Sequence, residues 1–231
     1  MKKILFLLAF VCLMILLYSC QSSAGFRVVS PDEALEVSVS KDSSGLYVYS
    51  FAAQGEELIA SSRIGFEGKH QGMIPGADWS VSSSVSCYDG VWKPVWGKRR
   101  EVKDQYNELI LSFKAPDGQQ GINQIQVVFR VYNDGAAFRY MIPQEAEPSE
   151  EVVGESTQYN FAGDYTAWFY NGEFHNLGPD KLSEVEGERQ PVMTIQAGEH
   201  QFMALHEADL KTGEPLLLSS LKGEQTFNVA S

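Results

Sequence analysis

Residues 125–142 read Ile-Gln-Val-Val-Phe-Arg-Val-Tyr-Asn-Asp-Gly-Ala-Ala-Phe-Arg-Tyr-Met-Ile, and this stretch decides the fold. Apolar side chains recur at every second position on both sides of Asn133-Asp134-Gly135: Ile125, Val127, Phe129 and Val131 before it, and Phe138, Tyr140 and Ile142 after it. This period is typical of strands with one buried face, and Asn, Asp and Gly accept the positive φ angles of tight turns. The stretch therefore predicts an antiparallel β-hairpin.

The same alternation recurs along most of the chain. It is found at Leu35, Val37 and Val39, at Tyr47, Tyr49 and Phe51, at Leu109, Leu111 and Phe113, and at Met203 with Leu205. Turn-rich breaks fall at 42–45, 116–121 and 197–199, and the acidic segment 144–156 is interpreted as a loop with at most one helical turn. Many short strands without alternating helices predict an all-β, antiparallel sandwich.

The beginning of the chain predicts export. Lys2 and Lys3 precede an apolar run of 14 residues, 4–17, which is shorter than the roughly 20 residues of a membrane-spanning helix and typical of a signal peptide. Leu17-Tyr18-Ser19-Cys20 resembles a bacterial lipobox, in which the cysteine becomes the lipidated first residue of the mature chain. An ordinary signal peptide followed by a chance cysteine is the alternative.

These features divide the chain into a signal peptide at 1–19, a lipidated Cys20 with its tether at 20–27, and a domain at 28–231. The resemblance implies a lipoprotein of the outer membrane. We expect it on the periplasmic side, because residues 21–25 carry no acidic signal for surface export.

Composition and missing motifs exclude several classes of function. A net charge of −12 argues against a nucleic-acid partner. Cys87 is the only cysteine after Cys20, so no internal disulfide framework is expected, and we expect a buried thiol there. His206-Glu207 begins like a zinc-protease motif, but Leu210 stands where the second histidine would be. The chain also lacks a nucleophile elbow, a phosphate-binding loop and a dinucleotide fingerprint.

Several longer segments are more specific. They are Ser30-Pro31-Asp32, Arg63-Ile64-Gly65, Trp92-Lys93-Pro94-Val95-Trp96-Gly97, Asp104-Gln105-Tyr106-Asn107-Glu108-Leu109, residues 129–140, residues 160–168, and Leu205-His206-Glu207-Ala208-Asp209-Leu210. In this order and spacing, from about Val28 to the last residue, they resemble the N-terminal domain of glycoside hydrolase family 97.

The resemblance implies a β-supersandwich, similar to the galactose mutarotase sandwich, that leads into a catalytic (β/α)8 barrel. Family members are calcium-dependent, exo-acting α-glucosidases and α-galactosidases, typical of Bacteroidetes, that act on α-linked oligosaccharides. None of the 30 acidic residues matches the catalytic carboxylates, which lie in the barrel. The sequence therefore predicts an inactive N-terminal domain whose last strands are incomplete. We expect strands at 216–218 and 226–229, the last one with an unpaired edge.

Glu207 is the one candidate for a site residue. The resemblance implies that a glutamate of this domain helps to bind calcium, and the His-Glu-Ala segment places it at Glu207. Independently, Met203, Leu205 and Glu207 share one face of a strand, and a carboxylate that continues an apolar face needs a partner. Calcium takes six to eight oxygen ligands, so the others would come from the barrel. This chain alone should bind calcium weakly. An exposed or arginine-paired Glu207 is the alternative.

Four tryptophans, Trp79, Trp92, Trp96 and Trp168, suggest stacking on sugar rings. The competing interpretation, which we favour for Trp92 and Trp96 on either side of Pro94, is that they fill the core. The alternative function for the chain is a stand-alone glycan-binding lipoprotein, which predicts a complete last strand and saturable oligosaccharide binding without a partner domain. A structural lipoprotein without a ligand is a third possibility.

Arg130 and Arg139 flank the predicted hairpin turn on opposing strands. We expect both to form structural ion pairs with acids such as Asp104 or Glu108.

Overall fold

The computed structural model describes residues 25–143, 151–170, 176–210 and 215–230. The predicted signal peptide and Cys20 lie outside these ranges. The described residues form 18 strands and one short 3-10 helix. No helix in this part of the chain has the length and apolar character needed to cross a membrane.

The strands follow one another along the chain with short connections. Their bounds are β1 (Phe26–Val29), β2 (Leu35–Lys41), β3 (Tyr47–Ala53), β4 (Glu56–Arg63), β5 (Phe66–Gly68), β6 (Gly72–Ile74), β7 (Ser80–Trp92), β8 (Val102–Lys114), β9 (Gln124–Tyr132), β10 (Ala136–Met141), β11 (Val152–Glu155), β12 (Gln158–Phe161), β13 (Thr166–Tyr170), β14 (Asn176–Lys181), β15 (Gly187–Gln196), β16 (Phe202–Leu205), β17 (Leu218–Ser220) and β18 (Thr226–Val229), with the 3-10 helix at Leu182–Glu184.

The strands form three sheets. The largest has 11 strands in the order β1-β2-β3-β4-β12-β18-β17-β15-β13-β14, with β16 paired to β15. A second sheet runs β10-β9-β8-β7, and a small third one runs β11-β5-β6. All pairings between strands are antiparallel. The predicted all-β antiparallel sandwich is confirmed.

The two larger sheets pack face to face through aromatic side chains. Tyr47 of β3 lies edge-on against Phe113 of β8, with ring centroids 4.6 Å apart. Tyr49, two residues along the same face, contacts Phe129 of β9 and Phe138 of β10. These rings are part of one continuous hydrophobic core that draws side chains from both sheets, as the alternating pattern requires.

The predicted hairpin is confirmed in its position, and the structure defines its register. β9 ends at Tyr132 and β10 begins at Ala136. The amide of Tyr132 donates a hydrogen bond to the carbonyl oxygen of Gly135, 2.8 Å away, which closes the turn. Phe129 lies opposite Phe138 in the ladder, and their rings are in contact. The register therefore places both phenylalanines on the core side of the sheet.

Two expectations about local structure are wrong. Residues 152–155 are strand β11 rather than loop, because they pair with β5 at the edge of the small sheet; residues 144–150 lie outside the described chain. The last predicted strand, β18, has no unpaired edge, because it lies between β12 and β17 and pairs with both. The strand before it is at 218–220, two residues later than predicted at its start.

A truncation in the core should destabilise the sandwich strongly. Phe129 is 1% exposed and packs against Tyr49 and Phe138. We expect Phe129→Ala to lower the free energy of unfolding by about 3–5 kcal/mol, because it removes buried area and leaves a cavity. Urea unfolding measures this change. As a control, Val95→Ala, at a side chain that is 100% exposed, should stay within about 0.5 kcal/mol of the wild type. Equal losses for the two variants would contradict this packing.

Candidate functional site

Glu207 lies two residues beyond the end of strand β16 and is half-buried. Burial alternates along this segment, since Met203, Leu205 and Glu207 are all more buried than the residues between them. One carboxylate oxygen, Oε2, accepts a hydrogen bond from the backbone amide of Leu216 at 3.0 Å. Glu207 is therefore held in place by the main chain, and no lysine or arginine of the described residues forms an ion pair with it.

A second carboxylate, Glu155, ends strand β11 and is fixed by a chain of hydroxyl groups. The hydroxyl of Thr157 donates to Glu155 Oε1 at 2.5 Å. Because Thr157 has a single hydroxyl hydrogen, the 2.6 Å contact between Thr157 Oγ1 and Tyr140 Oη must have Tyr140 as its donor. The amide of Gly65 in turn donates to Tyr140 Oη at 2.9 Å. The relay is directional and ends on Glu155.

The negative charge of Glu207 affects Glu155. Burial raises the pKa of Glu155; the hydrogen bond from Thr157 opposes this rise, and the negative charge of Glu207 adds to it. Burial also raises the pKa of Tyr159, and the charges of Glu155 and Glu207 raise it further. Three acidic groups from β11, β12 and the segment after β16 thus share one partly buried region.

The chemistry of this region suits a hard cation only in part. Carboxylate oxygens are the ligands that calcium prefers, but calcium needs six to eight oxygens. Within the described ranges no group of three or more His, Cys, Asp or Glu side chains is placed to hold a metal ion. Among the described residues, the amide of Leu216 is the one hydrogen-bond donor to the Glu207 carboxylate, at Oε2. The described residues therefore do not form a calcium site by themselves, although a carboxylate such as Glu207 is a suitable single ligand.

The tryptophans divide into two groups. Trp79 is 3% exposed and belongs to the core, and Trp168 is half-buried. Trp92 and Trp96, which we expected in the core, are 59% and 88% exposed. The expectation failed because the hairpin formed by β7 and β8 extends past the sheet that would have covered them. Cys87 lies on the same hairpin and is exposed rather than buried, for the same reason.

The expected ion pairs of the hairpin arginines are confirmed for one of the two. Arg130 Nε lies 2.6 Å from Glu108 Oε2 across the β8–β9 ladder. The Arg130 guanidinium also covers the ring of Tyr106, 4.4 Å from its centroid. Arg139 forms no ion pair with Asp104 or Glu108. Arg130 is a structural residue of the sheet.

Sequence reasoning missed Glu155 because it assigned residues 144–156 to a loop. A signal was present: Glu155 continues the alternation of Thr157, Tyr159 and Phe161 backwards by one step. This is the same pattern, a carboxylate in line with a buried face, that identified Glu207. The relay through Tyr140 and Gly65 joins residues 75 and 17 positions apart in sequence, which no local pattern could have indicated.

Comparison with known proteins agrees with this architecture. The family model described as "Glycosyl-hydrolase 97 N-terminal" matches residues 28–228. A curated relative, the retaining α-galactosidase of Bacteroides thetaiotaomicron, is 27% identical over 241 aligned positions. The alignment covers 96% of this chain and 34% of the relative. The chain therefore spans about a third of the length of this relative.

Solved structures share the fold. One is a glycoside hydrolase family 97 enzyme from Pseudoalteromonas sp. strain K8 in complex with panose, with a TM-score of 0.75 and 22% identity over 89% of this chain and 31% of the other. A β-arabinopyranosidase superposes with the same TM-score and 20% identity, over 89% of this chain and 35% of that enzyme. At these identities the similarity supports the fold alone.

The raised pKa of Glu155 should be visible in the pH dependence of stability. A folded state that holds this proton more tightly than the unfolded chain loses stability as pH rises above the ordinary pKa of a glutamic acid. Glu155→Gln keeps an acceptor for Thr157 but cannot ionise. We therefore expect this variant to gain stability relative to the wild type as pH rises from about 4 to about 7. Urea unfolding across this range measures it.

Glu224→Gln is the matched control, since Glu224 is exposed and makes no side-chain hydrogen bond with the described residues. The difference in free energy of unfolding between Glu224→Gln and the wild type should not increase with pH as it does for Glu155→Gln. Parallel pH profiles for wild type and Glu155→Gln would show that burial does not disfavour the Glu155 charge.

Proposed function

Because the chain belongs to glycoside hydrolase family 97 and matches its N-terminal domain over residues 28–228, we propose that it serves as the non-catalytic N-terminal domain of a calcium-dependent, exo-acting α-glycosidase. In this function the sandwich buttresses a C-terminal catalytic (β/α)8 barrel. It also lends the carboxylate of Glu207 to a calcium ion in the substrate cleft.

The placement of Glu207 carries this proposal. The side chain continues the buried face of β16, and its Oε2 is fixed by the amide of Leu216. A carboxylate held by a backbone donor and not neutralised by a described basic residue is ready to accept a cation. The neighbouring charge of Glu155 makes the region more favourable for a positive ion. With so few donors in the described residues, calcium binding should depend on a partner domain.

Calcium, when bound, would supply positive charge that orders the carboxylates and the substrate beside them. The residues of this chain orient the two carboxylates without a bound ion. Leu216 orients Glu207 through its amide, and Thr157 orients Glu155 through its hydroxyl. Both carboxylates are therefore preorganised, which lowers the entropic cost of forming the site.

The substrate class follows from the relatives. The Bacteroides thetaiotaomicron relative is named a retaining α-galactosidase, and the Pseudoalteromonas enzyme was solved with panose. We propose an α-linked oligosaccharide as the substrate of the whole enzyme, either an α-galactoside or an α-glucoside.

We also propose that the chain is an exported lipoprotein. Its leader at 1–19 would be removed, Cys20 would be acylated, and residues 20–27 would tether domain 28–231 to the periplasmic face of the outer membrane. The apolar run at 4–17 and the lipobox-like Leu17–Cys20 segment support this proposal.

A stand-alone glycan-binding lipoprotein is the second candidate, and one observation favours it: Trp92 and Trp96 are exposed, as stacking on sugars requires. It predicts saturable oligosaccharide binding by the isolated chain. Calorimetric titration with panose and with raffinose separates the two functions, because a non-catalytic buttressing domain should bind neither sugar measurably.

The calcium function is tested in a chimera in which the whole chain replaces the matched third of the Bacteroides thetaiotaomicron α-galactosidase. We expect Glu207→Gln in this chimera to raise the dissociation constant for calcium by at least ~10-fold, since even partners that only orient a metal ligand contribute 10–100-fold. The glutamine keeps an acceptor for the Leu216 amide, so the fold should persist. Calcium titration followed by calorimetry measures the affinity directly.

Two controls accompany this experiment. Glu186→Gln changes an exposed glutamate and should leave the calcium affinity of the chimera unchanged. The isolated chain, mixed with calcium, should not hydrolyse nitrophenyl α-galactoside or α-glucoside. Turnover by the isolated chain, or wild-type calcium affinity in the Glu207→Gln chimera, would refute the proposal.

Lipidation is tested by metabolic labelling in a Gram-negative host. We expect the wild-type chain to incorporate labelled palmitate and to sediment with membranes, whereas Cys20→Ser should lose both properties, because the thiol is the acylation site. Cys87→Ser is the control and should still be labelled. Labelled Cys20→Ser would show that this segment is not a lipobox.

A further inference from the structure

The hairpin formed by β7 and β8 projects beyond the sandwich. Its two strands pair without interruption over 13 residues each, from Ser80 opposite Lys114 to Trp92 opposite Val102. β7 is an edge strand of its sheet. From position 82 onward, every residue of β7 except Gly90 is exposed. We call residues 82–106 the β7–β8 ribbon.

Exposed apolar side chains lie on both faces of this ribbon, between the serines of β7. Val81, at its base, packs against the core, so alternation places Val85 and Val91 on the same face farther out; these two are 65% and 56% exposed. Tyr88 and Trp92 lie on the opposite face and are also largely exposed. The face that carries Val85 and Val91 extends beyond the sheet that covers Val81. Nothing in the described chain covers the face that carries Tyr88 and Trp92.

The tip of the ribbon differs from the rest of the chain in charge. Residues 93–103 hold five basic side chains and one acidic one, while the whole chain carries −12. Val95 and Trp96 at the turn are almost fully exposed. The one acid, Glu101, is paired with Lys93 at 3.1 Å. The tip is thus a basic and apolar surface on an otherwise acidic protein.

Contacts with β9 hold the base of the ribbon in place. The rings of Tyr88, Tyr106 and Tyr132 stack across β7, β8 and β9, with centroids 5.3 Å and 5.1 Å apart. The guanidinium of Arg130, held by Glu108, lies over the middle ring. This ladder holds the base of the ribbon against β9.

A long, uncovered edge strand with exposed valine, tyrosine and tryptophan side chains is disfavoured in an isolated domain, because its free backbone groups and apolar surface promote association. The alignment covers only 34% of the relative from Bacteroides thetaiotaomicron. The unmatched part of that relative is therefore about twice as long as the matched part. That additional polypeptide is large enough to cover the ribbon.

We propose that the β7–β8 ribbon is the docking surface for the polypeptide that forms the other two-thirds of the family's longer enzymes, an inference that rests on the proposed function. The partner surface it fits has an apolar groove that receives Trp92 and Trp96, with acidic residues at the rim facing Lys98, Arg99 and Arg100. The groove encloses both faces of β7.

A sugar fits this surface less well than a protein does. A carbohydrate stacks on one exposed aromatic face, whereas the ribbon exposes aliphatic Val85 and Val91 on one face and aromatic Tyr88 and Trp92 on the other. Apolar side chains on opposite faces of a strand are buried together only when a partner wraps around the strand.

Cys87 provides a direct test, because it lies on the ribbon and its thiol is exposed. We would compare maleimide labelling at Cys87, read by peptide mass spectrometry, in the isolated chain and in the chimera with the Bacteroides thetaiotaomicron enzyme. We expect the labelling rate at Cys87 to fall by at least ~10-fold in the chimera, since thiol reactivity depends on access.

The matched control is Asp117→Cys, at a side chain that is 97% exposed and lies in the loop after β8. Its labelling should be equal in the two proteins. Unprotected Cys87 in a chimera that hydrolyses nitrophenyl α-galactoside would overturn the inference and leave the proposed function intact. An inactive chimera with protected Cys87 would overturn the proposed function and leave the docking inference intact. Protection of Cys87 by panose in the isolated chain would overturn the inference in favour of a glycan.

A second measurement does not depend on thiol chemistry. Trp96→Ala removes an exposed ring, so it should leave the thermal midpoint of the isolated chain unchanged. In the chimera the same change should lower the midpoint of the unfolding transition by several degrees, while Asp117→Ala should not. Equal midpoints for the Trp96→Ala and wild-type chimeras would contradict docking through the tip.

Discussion

The register of the β9–β10 hairpin is the constraint on which the rest of the structure depends. The three-residue turn at Asn133–Gly135 places Phe129 opposite Phe138 and Tyr140 opposite Val127. The two phenylalanines meet Tyr49 of the facing sheet. A shift of the ladder by one residue would turn every one of these side chains to the other face, so the core and the site would be lost together.

The same register connects the core to the acidic region. Tyr140 is on the face of β10 that turns inward, where its ring contacts Phe66 and Phe138. From there its hydroxyl reaches both the Gly65 amide and Thr157, and Thr157 holds Glu155. Packing thus decides where a carboxylate lies, through two hydroxyl groups. The geometry of the candidate site is a consequence of how the sandwich is packed.

The sequence predicts those features of the molecule that have a local cause. Alternation with a period of two identifies β2, β3, β8, β9 and β10, because each has one buried face. Asn133-Asp134-Gly135 identifies the turn, because few other residues allow its backbone angles. Glu207 could be singled out on the same grounds, as a carboxylate in line with Met203 and Leu205. These predictions needed no knowledge of how the sheets meet.

The features that the sequence did not predict depend on the extent of a neighbouring element. Trp92, Trp96 and Cys87 are residue types that are usually buried. Whether they are covered depends on how far the opposite sheet extends.

The ribbon and the acidic region share a physical property. In the ribbon apolar area faces water, and in the acidic region like charges are held near one another where burial disfavours them. Exposed apolar area and neighbouring like charges each raise the free energy of the isolated domain. A folded protein retains such features where another interaction offsets this cost. A partner that enclosed the ribbon and a cation that neutralised the carboxylates would each recover it.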